Sequence, residues 1–69
     1  MKLSARNVLP GKVVQVIRGQ TTAHVKIEVS GGTIITASIT VEATDELALK
    51  PGDEAFAVIK ASDVIVGRP

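Results

Sequence analysis

One residue in three branches at its Cβ: ten Val, seven Ile and six Thr make up 23 of 69 positions. Branching at Cβ stiffens χ1 and suits a pleated, half-buried surface better than a helix. Spread along the whole chain, such residues call for a β-rich fold. A chain of 69 residues holds one domain, near the lower limit of what a core stabilises alone. Residues 1–69 are therefore read as a single domain. Chains this short are usually stapled by a disulfide, a metal or a partner subunit. The sequence has no Cys and one His, so a disulfide and a zinc site are excluded. Self-association remains, and a hydrophobic content of 45% places some Val and Ile between chains.

Turn signals divide the chain. Gly19-Gln20 follows the apolar segment Lys12 to Arg18. Gly31-Gly32 lies between two alternating runs and predicts a two-residue hairpin loop, because glycine accepts positive φ without steric penalty. Pro51-Gly52 fits the central pair of a type II turn, and Gly67 and Pro69 close the chain. In Thr22 to Val29, Ala23, Val25, Ile27 and Val29 share one face; Thr22, His24, Lys26 and Glu28 share the other. That is a strand with one wet face. Thr33 to Val41 repeats the pattern through Ile35, Ala37, Ile39 and Val41, while Ile34 interrupts the polar face, as expected where it meets another subunit. Glu54 to Lys60 and Val64 to Val66 read as two further strands, with Phe56 expected inside. Val41 to Leu49 is the helical stretch: Thr40 caps it, and Glu42, Asp45 and Glu46 suit its first turns. Five strands bridged by one short helix predict an all-β fold, a small OB-like Greek-key barrel.

Charge and composition narrow the function. Eight Lys and Arg against seven Asp and Glu give a net charge of +1. A nucleic-acid binder shows a clear basic excess, since phosphate contacts supply most of its affinity, and an OB surface for single strands adds stacked aromatics. Phe56 is the only aromatic. No apolar run reaches the ~18 residues of a membrane span, and no signal-peptide h-region opens the chain. No nucleic acid and no membrane are expected, and the cytoplasm is the default location. Catalytic groups are scarce. His24 sits on the wet face of its strand and reads as a solvated histidine. Ser4, Ser30, Ser38 and Ser62 have no visible His or Asp partner, and the acids at 42 to 46 and 53 to 54 read as solvated. No catalytic residue and no direct protein–metal ligand is expected; the chain is not read as an enzyme.

Two short polar segments stand apart. Ser4-Ala5-Arg6-Asn7 precedes the apolar run that begins at Val8, and Lys60-Ala61-Ser62 interrupts the apolar series between Ile59 and Val64. A tetrahedral oxyanion carries only acceptors, so its site must supply converging donors and few carboxylates. Hydroxyls, an Asn amide, backbone N–H groups and a Lys or Arg meet that need. The same residues would equally serve an edge strand and a bend, capping local backbone groups. Composition alone favours the plainer reading.

With its neighbours, the first segment becomes Ser4-Ala5-Arg6-Asn7-Val8-Leu9-Pro10-Gly11-Lys12-Val13, which closely resembles the opening of the molybdenum-pterin-binding proteins, the molbindins or Mop proteins. The resemblance continues through Gly31-Gly32, Leu47-Ala48-Leu49-Lys50-Pro51-Gly52 and Ala57-Val58-Ile59-Lys60-Ala61-Ser62-Asp63-Val64, in order along essentially the whole chain. It implies a Mop domain with an OB-like fold, assembled as a hexamer (a trimer of dimers). Molybdate or tungstate would bind at subunit interfaces, for intracellular molybdenum homeostasis, with no organic cofactor required. It implies two sites. One matches Ser4, Ala5, Arg6 and Asn7 with Lys60, Ala61 and Ser62. The other lies on the threefold axis and aligns with Gly19, Gln20, Thr21 and Thr22. Where relatives often carry a hydroxyl, position 61 is Ala, so only its backbone N–H would donate. The same kind of domain occurs fused to transporters and regulators, whereas a chain running from Met1 to Pro69 is expected to stand alone.

Overall fold

Alternation becomes pairing in the computed structural model, which describes residues Met1–Pro69. Four strands form, β1 (Asn7–Arg18), β2 (Thr22–Val29), β3 (Ile34–Thr40) and β4 (Glu54–Ile59), with helix α1 (Val41–Glu46) between β3 and β4. They make one antiparallel sheet in the order β3-β2-β1-β4. Three strands meander and the fourth returns beside the first, which is the expected Greek-key order.

The long β1 serves both halves of the sheet. Gly11 to Arg18 pairs with β2, and Asn7 to Lys12 pairs with β4. Just past the overlap of the two ladders at Gly11 and Lys12, a register shift between Val13 and Gln15 bulges the strand and lets the sheet curl. Gly11 sits at this crowded crossing. A Cβ there would lie 2.5 Å from the Glu28 carbonyl oxygen and 2.8 Å from Ile27 Cγ2. The turn before β4 fastens to the same place: Gly52, at φ 96°, donates to Val13 O at 2.8 Å, and Val13 N donates to Asp53 O at 2.8 Å.

The inward positions close on one another. Val13, Val25, Ile27, Val29 and Ala57 form the buried cluster, with Leu9, Val16, Ile35, Ile39, Leu49 and Ala55 packed around it. The helix caps as its sequence predicts. Thr40 Oγ1 accepts from Ala43 N at 3.0 Å, and the buried Thr44 donates its hydroxyl to Thr40 O at 3.0 Å. At the other end, Ala48 N donates to Asp45 O and Leu49 N to Thr44 O, the two bonds of a Schellman motif. Its left-handed position is Ala48, at φ 51°.

Three expectations are corrected. Val64 to Val66, read as a fifth strand, pairs with no strand: Val64 is extended, and Ile65 and Val66 are 93% and 89% exposed. Phe56, expected inside, is 54% exposed: Ala55, Ala57 and Ile59 face the core, so strand parity sends Phe56 and Val58 outward. The β2–β3 hairpin has a four-residue loop rather than two. Gly31 and Gly32 do take positive φ, but Ser30 starts a 3₁₀ turn, and Val29 N reaches Thr33 O at 2.8 Å.

The curled sheet does not close. Its edges β3 and β4 face one another across an apolar trough of about 370 Å³, lined by Ile35, Ala37 and Ile39 against Phe56, Val58 and Ile59. Only seven residues are buried, and the chain exposes 5472 Å². A compact monomer of this mass exposes roughly 4,100 Å². The apolar surface is unfinished.

Candidate oxyanion site

Antiparallel register decides what lies beside the start of β1. Asn7 pairs with Ile59, so the chain entering β1 and the chain leaving β4 meet at one end of the sheet. Ser4, Ala5 and Arg6 approach that end, while Lys60, Ala61 and Ser62 depart from it. The two segments singled out in the sequence lie 52 residues apart at their joining pair and are brought together by a single ladder.

Asn7 fastens that end. Its side-chain Nδ2 donates to the Ile59 carbonyl at 3.1 Å in a half-buried position. The amide expected to face an anion therefore ties the two segments together. Beyond Ile59, the backbone turns through a 3₁₀ turn at Ala61–Asp63. Asp63 N donates to Lys60 O at 2.9 Å and Val64 N to Ala61 O at 3.3 Å. The N–H groups of Ser4, Ala5, Arg6, Ala61 and Ser62 make no hydrogen bond within the chain. Ser4, Arg6, Lys60, Ala61 and Ser62 are exposed, and Ala5 is half-buried. The cluster thus offers free backbone donors, two hydroxyls, a guanidinium and an ammonium. The Asp63 carboxylate, exposed at the end of the turn, opposes an anion nearby.

The second set of residues lies elsewhere. Gly19, Gln20 and Thr21 form the exposed turn after β1, at the end of that strand opposite Asn7, and the exposed Thr22 opens β2. Gly19 N donates to Thr22 O at 2.8 Å, and a Cβ on Gly19 would sit 2.8 Å from the same oxygen. Thr21 O accepts from Val41 N at 2.9 Å, tying the turn to the start of α1. Within one chain the two sets do not meet. Arg18, the adjacent cation, is engaged by Asp45 at 2.7 Å. That hydrogen bond raises the Arg18 pKa and, with the guanidinium charge, holds the Asp45 carboxyl below its ordinary range. The bridge was not visible in the sequence, where Asp45 reads as a solvated acid. The open trough was missed too, although Phe56 and Val58, apolar on the outer face of β4, carried its signal.

A family profile, the TOBE domain, matches residues 3–66. The chain is 46% identical over 67 residues to a probable molybdenum-pterin-binding protein of Haemophilus influenzae, covering 97% of each. Among solved structures it is similar to molybdate-bound ModG, described as a cytoplasmic molybdate-binding protein, with 52% identity and a TM-score of 0.96, all of this chain matching 49% of that one. A molybdate-binding protein from Sporomusa ovata is 34% identical with a TM-score of 0.92, over 99% of this chain and 100% of the other.

Proposed function

The chain belongs to the TOBE domain family, among its molybdenum-pterin-binding proteins, and from that premise we propose that it binds and stores molybdate, and tungstate with it, for intracellular molybdenum homeostasis. The reading is of a binding protein without catalysis, a single Mop domain over residues 1–69, working in the cytoplasm without an organic cofactor. The observation that carries it is the Asn7–Ile59 register, which joins the donor-rich Ser4–Asn7 and Lys60–Ser62 segments at one end of the sheet. Molybdate is a dianion whose four oxygens only accept. A charge-assisted hydrogen bond contributes about 1.5–3 kcal/mol net, so several converging on one anion reach micromolar affinity, about 8 kcal/mol. Lys60 and Arg6 supply charge; Ser4, Ser62 and the free N–H groups of Ala5 and Ala61 supply direction. Asn7 belongs to the site as the residue that positions it. The Gly19–Thr22 turn is the second site, completed on a threefold axis by other copies.

The partner is a second copy of the chain, and the assembly is a hexamer. Its support is the unfinished surface. A trough between two strand edges, each with an unpaired side, fits an incoming extended apolar segment. The chain's own Val64–Val66 is such a segment and lies exposed. Exchanged between copies, these tails would close each sheet reciprocally. The excess of roughly 1,400 Å² over a compact monomer matches the scale of an obligate interface, which buries over about 1,000 Å² per partner.

Calorimetric competition tests the ligand. Molybdate and tungstate should bind almost equally, being tetrahedral dianions of nearly the same size. Sulfate is smaller, and phosphate near neutrality carries a proton where the site needs an acceptor; both should bind more weakly. Sulfate or phosphate binding as tightly as molybdate overturns the proposal.

A further inference from the structure

Of the three aspartates in the chain, two have partners. Asp45 holds Arg18 at 2.7 Å, and the Asp53 carboxylate accepts from Lys50 N at 3.1 Å. The Asp63 side chain makes neither an ion pair nor a hydrogen bond. It is also the one carboxylate in the segments that meet at the Asn7–Ile59 pair, where Arg6 and Lys60 are the cations. The backbone fixes its place. Asp63 N donates to Lys60 O at 2.9 Å, so Asp63 closes the 3₁₀ turn that carries Ala61 and Ser62. Such a turn rises about 2 Å per residue, which sets the Asp63 and Lys60 backbones roughly 6 Å apart. The free N–H groups of Ala61 and Ser62 lie between them. An exposed, unpaired carboxylate is thus held beside the donors of the candidate site.

We propose that Asp63 is an electrostatic brake on the anion site: its free carboxylate repels the bound dianion, lowers the affinity and keeps the stored anion exchangeable. This rests on the molybdate reading above and adds a residue that opposes binding where the others favour it. Coulomb energy scales with the product of the charges, so a dianion feels a neighbouring carboxylate twice as strongly as a monoanion does. Across about 7–10 Å in a water-like dielectric, that repulsion weakens binding roughly three- to tenfold at low salt. Because the carboxylate faces solvent, salt should screen the effect. The brake acts on charge and not on size. It should therefore lower the affinity for molybdate and for tungstate by the same factor and leave the choice between them to the spacing of the donors.

Two substitutions separate this charge effect from a structural one. Asp63→Ala removes the carboxylate and adds no donor; Asp63→Glu keeps the charge. Both retain the backbone N–H that closes the turn on Lys60 O. Each variant is compared with the parent by calorimetric titration with molybdate and with tungstate, at low and at high sodium chloride. Asp63→Ala should bind both anions roughly three- to tenfold more tightly than the parent at low salt. That gain should shrink towards nothing near 1 M salt, where charges are screened within about 3 Å. Asp63→Glu should bind like the parent throughout. Unchanged or weaker binding by Asp63→Ala overturns the brake, and so does a gain that high salt leaves intact or that Asp63→Glu shares. A parent that does not bind molybdate at all instead overturns the anion reading on which the brake rests.

Discussion

Asn7 illustrates how a residue's type and its task part company. From the sequence, its amide reads as one more donor to an anion; in the fold, that amide is given to Ile59 O at 3.1 Å. Nothing local announces the pairing, because the partner lies 52 residues away and only the β1–β4 register joins them. Asn7→Ala should destabilise the chain by about 0.5–1.5 kcal/mol, the net worth of a hydrogen bond, read as a lower urea midpoint. Asn7→Asp should cost more, since a carboxylate accepts and cannot donate to a carbonyl. Stability unchanged in both would remove the clamp. Gly11 was legible as a glycine without its reason, which is the 2.5 Å approach of the Glu28 carbonyl. Gly11→Ala should cost about 1–3 kcal/mol, as overpacking does, and a parent-like midpoint would show that the crossing has room to spare.

Strands and helix were largely legible because alternation reports a core on one face. Thr22–Val29 falls where its pattern places it, and Thr40 caps α1 as its hydroxyl suggests. The tail was not legible in the same way. Val64-Ile65-Val66 has the propensity of a strand, but a strand needs an edge to pair with, and propensity does not say which chain supplies it. Helix ends offer sharper tests. Ala48 holds the left-handed position of the Schellman motif at φ 51°, where an L side chain costs roughly 1–2 kcal/mol and glycine costs less. Ala48→Gly should therefore raise stability by about 0.5–1 kcal/mol, seen as a higher urea midpoint at unchanged slope; a fall would mean that the Ala48 methyl contributes packing. The Arg18–Asp45 bridge sets a pH dependence. Asp45 titrates below its ordinary value in the folded chain. Its contribution is present above the unfolded carboxylate range and is lost as pH falls through the folded pKa. The stability gap between parent and Asp45→Asn should then shrink on acidification, and also in high salt. It should be small throughout, because both side chains are about half exposed. A gap that widens in acid would contradict the assignment.

At the scale of the molecule, the chain is a sheet curled around a core it does not finish. Composition leaves self-association as the expected staple, and the trough and the exposed tail mark where the surface stays open. The sequence could not give this shape, because which edges face one another depends on how far the bulged β1 bends the sheet. Thermal midpoints should accordingly rise with protein concentration, as they do when folding and association are linked. A folded monomer at micromolar concentration in sedimentation equilibrium would oppose that expectation. The central claim concerns the end of the sheet where Ser4–Asn7 and Lys60–Ser62 converge, and calorimetric titration of molybdate into the parent and Lys60→Met addresses it most directly. The parent should bind in the micromolar range. Lys60→Met keeps the apolar stem and removes the charge, so it should bind about tenfold to more than a hundredfold more weakly, the loss of about 1.5–3 kcal/mol. Equal affinity in the two proteins would contradict the site.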